Sequence, residues 1–129
     1  MIGVDIVDVE RIVKMNKNGA LEDRILTDGE KEYLFRKSKQ IVSGRRFSEY
    51  DYSLAGMFAS KEAALKAMGL GLGIINVKDI EICHKDSGKP YISISAEALK
   101  KTKQKVPKST DLTISHDAGV AISVCIMTY

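Results

Sequence analysis

Two carboxylates and two lysines stand where the surrounding sequence is apolar. Asp5 is the only charged residue in the alternating run that opens the chain, and Lys61, Glu62 and Lys66 interrupt the helical run at 58–68. Charges at the edge of a buried face need partners, because desolvated charge is costly. Carboxylates are the hard oxygen ligands that Mg²⁺ prefers, and ammonium groups attract phosphate oxygens. The four residues together therefore predict a site for a phosphate ester and a divalent cation.

Each of these residues also has a simpler interpretation. Asp5 could be an edge-strand carboxylate paired with some lysine, and a Glu62–Lys66 pair on a helix surface contributes only about 0.2–0.5 kcal/mol. Lys61 fits a surface interpretation poorly, because helical spacing puts it within an apolar stripe that would bury its stem. The stripe comprises Leu54, Phe58, Leu65 and Met68. The combination of Asp5 with Glu62, from different elements, favours the metal site.

Three alternating glycines follow this helix, at Gly69, Gly71 and Gly73. They do not form a dinucleotide-binding loop, because the glycines of such a loop precede their helix. Gly69 alone is explained as a helix stop, and three glycines indicate backbone that passes close to a ligand or another subunit. His116 stands at the end of a predicted strand, without the nucleophile that a hydrolase triad would need.

A basic ridge follows Asp5 on the first predicted helix. Arg11, Lys14 and Lys17 recur at three-residue spacing. Such a ridge is often only a solvated face. Here it would place a docked acidic protein beside the predicted metal site.

The elements that position these residues are mixed. Alternation predicts a strand at 2–7, and Asp8 is a plausible N-cap for a helix at 9–17. Thr27 and Glu30 have capping-box spacing, and Ser53 is predicted to cap the central helix that Gly69 ends. The remaining expectations are a loop at 38–50, a hairpin of strands 77–83 and 91–95, a helix at 96–105, and strands at 112–115 and 120–127. This order predicts an α+β fold with a largely antiparallel sheet.

Length, composition and charge limit the classes of protein to which the chain can belong. The chain has 129 residues, 44% of them hydrophobic, with a net charge of +3, which fits one domain over 1–129. No apolar run reaches the roughly 20 residues of a membrane span, and no basic signal region is present, so we expect a cytoplasmic protein. Cys83 and Cys125 are expected to be reduced, and zinc is improbable without a CxxC motif. The charge is too mild to indicate nucleic acid.

Three motifs carry a family resemblance that spans nearly the whole chain. They are Gly3-Val4-Asp5-Ile6-Val7 with Arg11-Ile12, Phe58-Ala59-Ser60-Lys61-Glu62-Ala63 with Lys66-Ala67-Met68-Gly69, and Ser115-His116-Asp117. In order and spacing these motifs resemble holo-acyl-carrier-protein synthases, the short bacterial type of 4′-phosphopantetheinyl transferase. The resemblance implies transfer of 4′-phosphopantetheine from coenzyme A to a serine of acyl carrier protein, with release of adenosine 3′,5′-bisphosphate, in fatty acid biosynthesis. It also implies a homotrimer with active sites between subunits.

The resemblance also implies roles for individual residues. Asp5 and Glu62 would hold Mg²⁺ against the coenzyme A diphosphate, and Lys66 would contact the phosphates and support the leaving group. Lys61 would be a neighbouring phosphate contact or a brace. His116 and the glycines, Gly69 and Gly71 among them, would hold the adenine nucleotide. Arg11, with Lys14 beside it on the ridge, would bind acidic residues of the carrier protein.

One departure concerns Met57, where many members of that family have arginine. If that arginine binds a phosphate, Arg45 and Arg46 are candidates to replace it. The alternative to the transferase is a non-catalytic module that binds a nucleotide or a carrier protein through the basic first helix. The Asp5–Glu62 pair discriminates between the two, because a binding module does not need two metal ligands.

Overall fold

The computed structural model describes all residues, 1–129, as five helices and five strands. The helices are α1 (Val9–Met15), α2 (Ala20–Ile25), α3 (Asp28–Phe35), α4 (Glu49–Ala67) and α5 (Ala96–Thr102). The strands are β1 (Ile2–Asp8), β2 (Ile80–His84), β3 (Pro90–Ile94), β4 (Ser109–Asp117) and β5 (Val120–Thr128). Short 3₁₀ turns at Lys17–Gly19 and Val77–Asp79 precede α2 and β2.

Every strand pairing is antiparallel, which confirms the α+β prediction. One sheet has the order β1-β5-β4, and β2 and β3 form a separate hairpin. In the three-stranded sheet Asp5 lies opposite Ser123, and Ser123 lies opposite Ile114. Directly opposed residues share a face, so Asp5 belongs to the face that also carries buried Ser123.

Helix α4 covers that inner face. Its N-cap is Ser48, whose hydroxyl accepts the Asp51 N–H while the Asp51 carboxylate accepts the Ser48 N–H. The predicted cap at Ser53 is therefore wrong. The capping box at 48–51 is stronger, because it satisfies two free backbone donors at once. Buried Tyr50 and Tyr52 then extend the apolar face of the helix toward its N-terminus.

The close approach of β1 to α4 depends on Gly3. A Cβ at this position would lie 2.5 Å from the Ala67 nitrogen and 3.0 Å from the Ala63 carbonyl carbon, and closer still to the Ala63 carbonyl oxygen. Only glycine leaves room for helix backbone at this distance. Since Asp5 is two residues further along the same face, Gly3 sets how near Asp5 lies to α4.

The outer face of the sheet is apolar and exposed along two strands. Ile2 is 68% exposed, Val4 49% and Ile6 64%, and on β5 Ile122 and Ile126 are exposed as well. The register pairs Ile2 with Ile126 and Ile6 with Ile122, so these side chains form one continuous patch. We call it the outer sheet face.

The other elements confirm most of the predicted boundaries within a few residues. Asp8 caps α1 and Thr27 forms the capping box of α3. Gly69 follows α4 with a φ of 68°, as a helix stop requires. The first helix is shorter than predicted and α2 was missed. Asn18 and Gly19 adopt positive φ and redirect the chain between α1 and α2. None of the helices is long and apolar enough to span a membrane.

Candidate active site

Asp5 and Lys66 form an ion pair between β1 and α4. The Lys66 Nζ donates to Asp5 Oδ1 and to the Val4 carbonyl oxygen, both at 2.9 Å. The Asp5 side chain is 15% exposed, whereas that of Lys66 is 54% exposed. The pair therefore lies at the rim of the α4–β1 contact, where a ligand from solvent can reach it.

Glu62 lies one turn before Lys66 on the same helix and is half-buried. Burial and the nearby Asp5 carboxylate raise the pKa of Glu62, while Lys66 and Arg11 oppose this shift. Within the chain Glu62 forms no ion pair. The negative charge of the Glu62 carboxylate is therefore only partly stabilised by solvent and by nearby cationic side chains. A bound cation would stabilise it further.

Asp5, Arg11 and Glu62 line one cleft of about 580 Å³. Its other walls come from α1, α2, α4 and the segment after α4, where Gly73 and Val77 contribute. The structure thus brings together three of the predicted residues, with Lys66 bonded to Asp5 at the edge. We call this the Asp5–Glu62 cleft.

The donor set of the Asp5–Glu62 cleft fits a hard divalent cation that is shared with a substrate. No group of three or more His, Cys, Asp and Glu residues exists that could enclose a metal by itself. Two carboxylates and an open cleft match the way Mg²⁺ is usually held, by one or two protein carboxylates, substrate phosphates and water.

Of the two roles that the resemblance implied for Lys61, the phosphate contact is wrong and the brace stays a prediction. Lys61 is 1% exposed, and its Nζ donates to the Ile25 carbonyl and Glu30 Oε1 at 2.7 Å and to the Val77 carbonyl at 3.1 Å. These three acceptors use all three N–H donors of the ammonium group. Burial lowers the pKa of Lys61, and Glu30 opposes that shift. The apolar stripe did predict the burial; only the tertiary structure supplies Glu30.

His116 lies in a different cleft of the chain. Its ring stacks on Tyr52 of α4, with centroids 4.7 Å apart and planes 25° from parallel. Together with Arg45 and Arg46, both rings line a cleft of about 390 Å³ that shares no residue with the Asp5–Glu62 cleft. We call it the His116 cleft.

Sequence reasoning missed Tyr52, because it is remote from His116 in the sequence and only the tertiary structure stacks the two rings. An aromatic ring and two arginines beside a histidine favour a nucleotide base and phosphate. Buried Met57, where the resemblance implied arginine, lines a neighbouring groove with His116 and Lys37. The suggestion that Arg45 or Arg46 replaces that arginine stays a prediction.

Within the chain the three glycines after α4 do not approach any other group closely. A Cβ at Gly69 or Gly73 would meet nothing within 4 Å, and at Gly71 it would only reach Ile74 at 3.9 Å. Positive φ values of 68° and 84° account for Gly69 and Gly73. Gly73 lines the Asp5–Glu62 cleft, whereas Gly69 and Gly71 do not. Contact of these glycines with a ligand or a second subunit stays a prediction.

Only part of the basic ridge is free of ion pairs within the chain. Glu10 forms ion pairs with Lys14 at 3.3 Å and with Arg46 at 2.7 Å. Arg11 is exposed, lines the Asp5–Glu62 cleft and forms no ion pair within the chain. Arg11 is therefore the residue of the ridge best placed to bind an acidic group next to the cleft.

Comparison with known proteins gives a consistent result. Residues 1–125 match the family model of the 4′-phosphopantetheinyl transferase superfamily. The chain is 34% identical over 128 residues to the holo-[acyl-carrier-protein] synthase of Alkaliphilus metalliredigens, covering 98% of this chain and 97% of that protein. It is 36% identical over 127 residues to the one from Carboxydothermus hydrogenoformans, covering 97% and 94%.

Solved structures agree with these relatives. The Helicobacter pylori holo-[acyl-carrier-protein] synthase in complex with coenzyme A superimposes with a TM-score of 0.78 at 33% identity, over 99% of this chain and 100% of that one. The Bacillus anthracis holo-(acyl-carrier-protein) synthase in complex with CoA (3′,5′-ADP) superimposes with a TM-score of 0.73 at 31% identity, over 98% and 93%. By sequence and fold, the chain belongs to the 4′-phosphopantetheinyl transferase superfamily.

Proposed function

We propose that the protein is a holo-[acyl-carrier-protein] synthase. It transfers the 4′-phosphopantetheine group from coenzyme A to a serine hydroxyl of apo acyl carrier protein and releases adenosine 3′,5′-bisphosphate. The observation that carries this proposal is that Asp5 and Glu62 line one cleft while Lys66 is bonded to Asp5 at its edge. The chain also aligns over nearly its whole length with holo-[acyl-carrier-protein] synthases.

Asp5 and Glu62 are the residues that would hold Mg²⁺. Burial and repulsion from the Asp5 carboxylate raise the pKa of Glu62, and a bound cation would relieve that repulsion, so the raised pKa of Glu62 supports this role. When bound, the cation polarises the attacked phosphate and neutralises its charge. Asp5 and Glu62 would also fix the orientation of the diphosphate.

Lys66 is proposed to support the leaving phosphate. Phosphoryl transfer depends mainly on positioning and on neutralising charge that shifts to the leaving oxygen. The Lys66 ammonium group is held 2.9 Å from Asp5 at an exposed rim. The ammonium group can therefore release Asp5 and bind a phosphate oxygen without passing through the protein interior.

The His116 cleft is proposed to hold the adenine nucleotide end of coenzyme A. His116, which is exposed and rests on the buried Tyr52 ring, offers a stacking surface, and Arg45 and Arg46 offer charge for a phosphate. Because the His116 cleft and the Asp5–Glu62 cleft are separate in one chain, one coenzyme A would be shared between two subunits.

A homotrimer with active sites between subunits is the assembly we propose. The outer sheet face supports it, because a continuous row of exposed Ile and Val side chains is the usual mark of a protein–protein interface.

Arg11 is proposed to bind acidic residues of the carrier protein at the edge of the site, with Lys14 as a second contact.

The test is a direct assay. The protein is incubated with apo acyl carrier protein, coenzyme A and Mg²⁺, and mass spectrometry detects added phosphopantetheine. We expect modification that is abolished in Asp5→Ala and Glu62→Ala, with both variants folded by circular dichroism. Unchanged rates in both variants would remove the metal assignment, and an inactive wild type would favour the non-catalytic binding module.

A further inference from the structure

The buried ion pair of Lys61 and Glu30 lies behind the Asp5–Glu62 cleft. Both residues are 1% exposed. Besides the Lys61 ammonium group, Glu30 accepts the Thr27 N–H through Oε1 and the Ile82 N–H through Oε2, both at 2.8 Å. With the bonds from Lys61 to Ile25 and Val77, the pair links the end of α2, the start of α3, α4 and β2.

Two of the three acceptors of Lys61 belong to residues of the cleft wall. Ile25 and Val77 both line the Asp5–Glu62 cleft. Lys61 also directly precedes Glu62 on α4. Three hydrogen bonds from one side chain therefore fix two wall segments and the rotation of the helical turn that presents Glu62.

Stability by itself does not explain a buried lysine at this position. Replacing a buried ion pair by apolar side chains of similar volume is often neutral or stabilising, because the charges no longer have to be desolvated. A methionine at position 61 would continue the apolar stripe of α4. What it could not do is donate to the Ile25 and Val77 carbonyls.

We propose that Lys61, held by Glu30, is a positioning residue that sets the geometry of the Asp5–Glu62 cleft for the diphosphate of coenzyme A. This inference rests on the proposed function for its ligand. Lys61 touches neither substrate nor cation and acts through Glu62, Ile25 and Val77.

The test compares Lys61→Met with the double variant Lys61→Met/Glu30→Gln. The single variant leaves a buried carboxylate uncompensated and should melt at a lower temperature. The double variant removes both charges, keeps an amide oxygen for a backbone N–H, and should recover part of that loss. Leu65→Ala is the matched control, because Leu65 is a buried residue of the same helix that belongs to a hydrophobic cluster with Leu112 and Met127 of the sheet and does not line the cleft.

Three quantities are measured well below the melting temperature of each variant: kcat/KM for transfer, the Kd of coenzyme A with Mg²⁺, and the Kd of 3′,5′-ADP. A misplacement of about 1 Å costs on the order of 10²-fold in rate. We expect that loss of kcat/KM in both Lys61 variants, with coenzyme A binding weakened about tenfold, as for one or two lost polar contacts. The Kd of 3′,5′-ADP should stay the same, because the His116 cleft is untouched, and Leu65→Ala should retain wild-type values.

Several results would overturn the assignment. They are near-normal kcat/KM and coenzyme A binding in the double variant, an equal loss in Leu65→Ala, and a double variant that does not fold, which would make the pair a requirement of the fold itself. If the wild type shows no transfer, the proposed function fails. The ratio of coenzyme A to 3′,5′-ADP affinity then still tests the positioning role.

Discussion

Replacing Gly3 by alanine tests how the fold sets the position of Asp5. The added Cβ would lie 2.5 Å from the Ala67 nitrogen and 3.0 Å from the Ala63 carbonyl carbon. Both are backbone atoms of α4, so no side chain can move aside. To restore an ordinary contact distance, β1 must shift from α4 by about 1 Å.

The substitution Gly3→Ala should lower both the stability and the activity of the protein, by different amounts. Overpacking of this kind costs about 1–3 kcal/mol, which exceeds the roughly 0.4–1 kcal/mol that a glycine-to-alanine change gains by restricting the unfolded chain. A net loss of about 1–2 kcal/mol remains, so the melting temperature should fall by roughly 3–10 °C. Since Asp5 moves with β1, its distance to Glu62 and Lys66 grows, and a misplacement of about 1 Å costs on the order of 10²-fold in kcat/KM.

The assay combines thermal melting with transfer kinetics at a temperature where the variant is folded. Gly29→Ala is the control, because the nearest atom to its Cβ would be a carboxylate oxygen of the Glu81 side chain at 3.3 Å, which is not backbone and lies outside the Asp5–Glu62 cleft. We expect that variant to keep wild-type activity. A Gly3→Ala protein with wild-type melting would refute the packing argument, and one that is destabilised but fully active would refute the link to Asp5.

Three further predictions concern the cleft, the ridge and the outer sheet face. Because folding raises the pKa of Glu62, the contribution of Glu62 to the stability of the ligand-free protein should fall as pH rises from the ordinary glutamate value of about 4.3 toward the folded value. The loss should be below about 1 kcal/mol at this partly exposed site, and Glu62→Gln should remove it. Identical pH profiles of melting for the wild type and Glu62→Gln would contradict this. Arg11→Glu should raise the KM for carrier protein far more than that for coenzyme A, with Lys17→Glu as the control on the same ridge, and equal effects on both substrates would remove the docking role. Ile126→Asp should convert the proposed trimer to monomers in analytical ultracentrifugation, whereas Val106→Asp, another exposed apolar position, should not; a variant that stays trimeric would exclude the outer sheet face as the interface.

The local chemistry of the chain was readable without a structure. The capping residues Asp8 and Thr27 and the glycine after α4 were identified correctly, since each depends on hydrogen bonds or dihedral angles within a few residues. The start of α4 was misplaced because Ser48 and Ser53 are both plausible caps. The reciprocal bonds with Asp51 and the packing of Tyr50 and Tyr52 decide between them.

The sequence by itself determined the α+β class, the family resemblance and the residue types of the site, because alternation, helical spacing and motif order are properties of the linear chain. Partners remote in sequence were decided only by the tertiary structure. Lys66 meets Asp5 across 61 positions, and Lys61 meets Glu30 across 31. A lysine carries the same charge whether its partner is a phosphate or a buried glutamate. Only the packing of α4 against α2, α3 and β1 turns Lys61 inward and leaves Lys66 at the rim of the cleft.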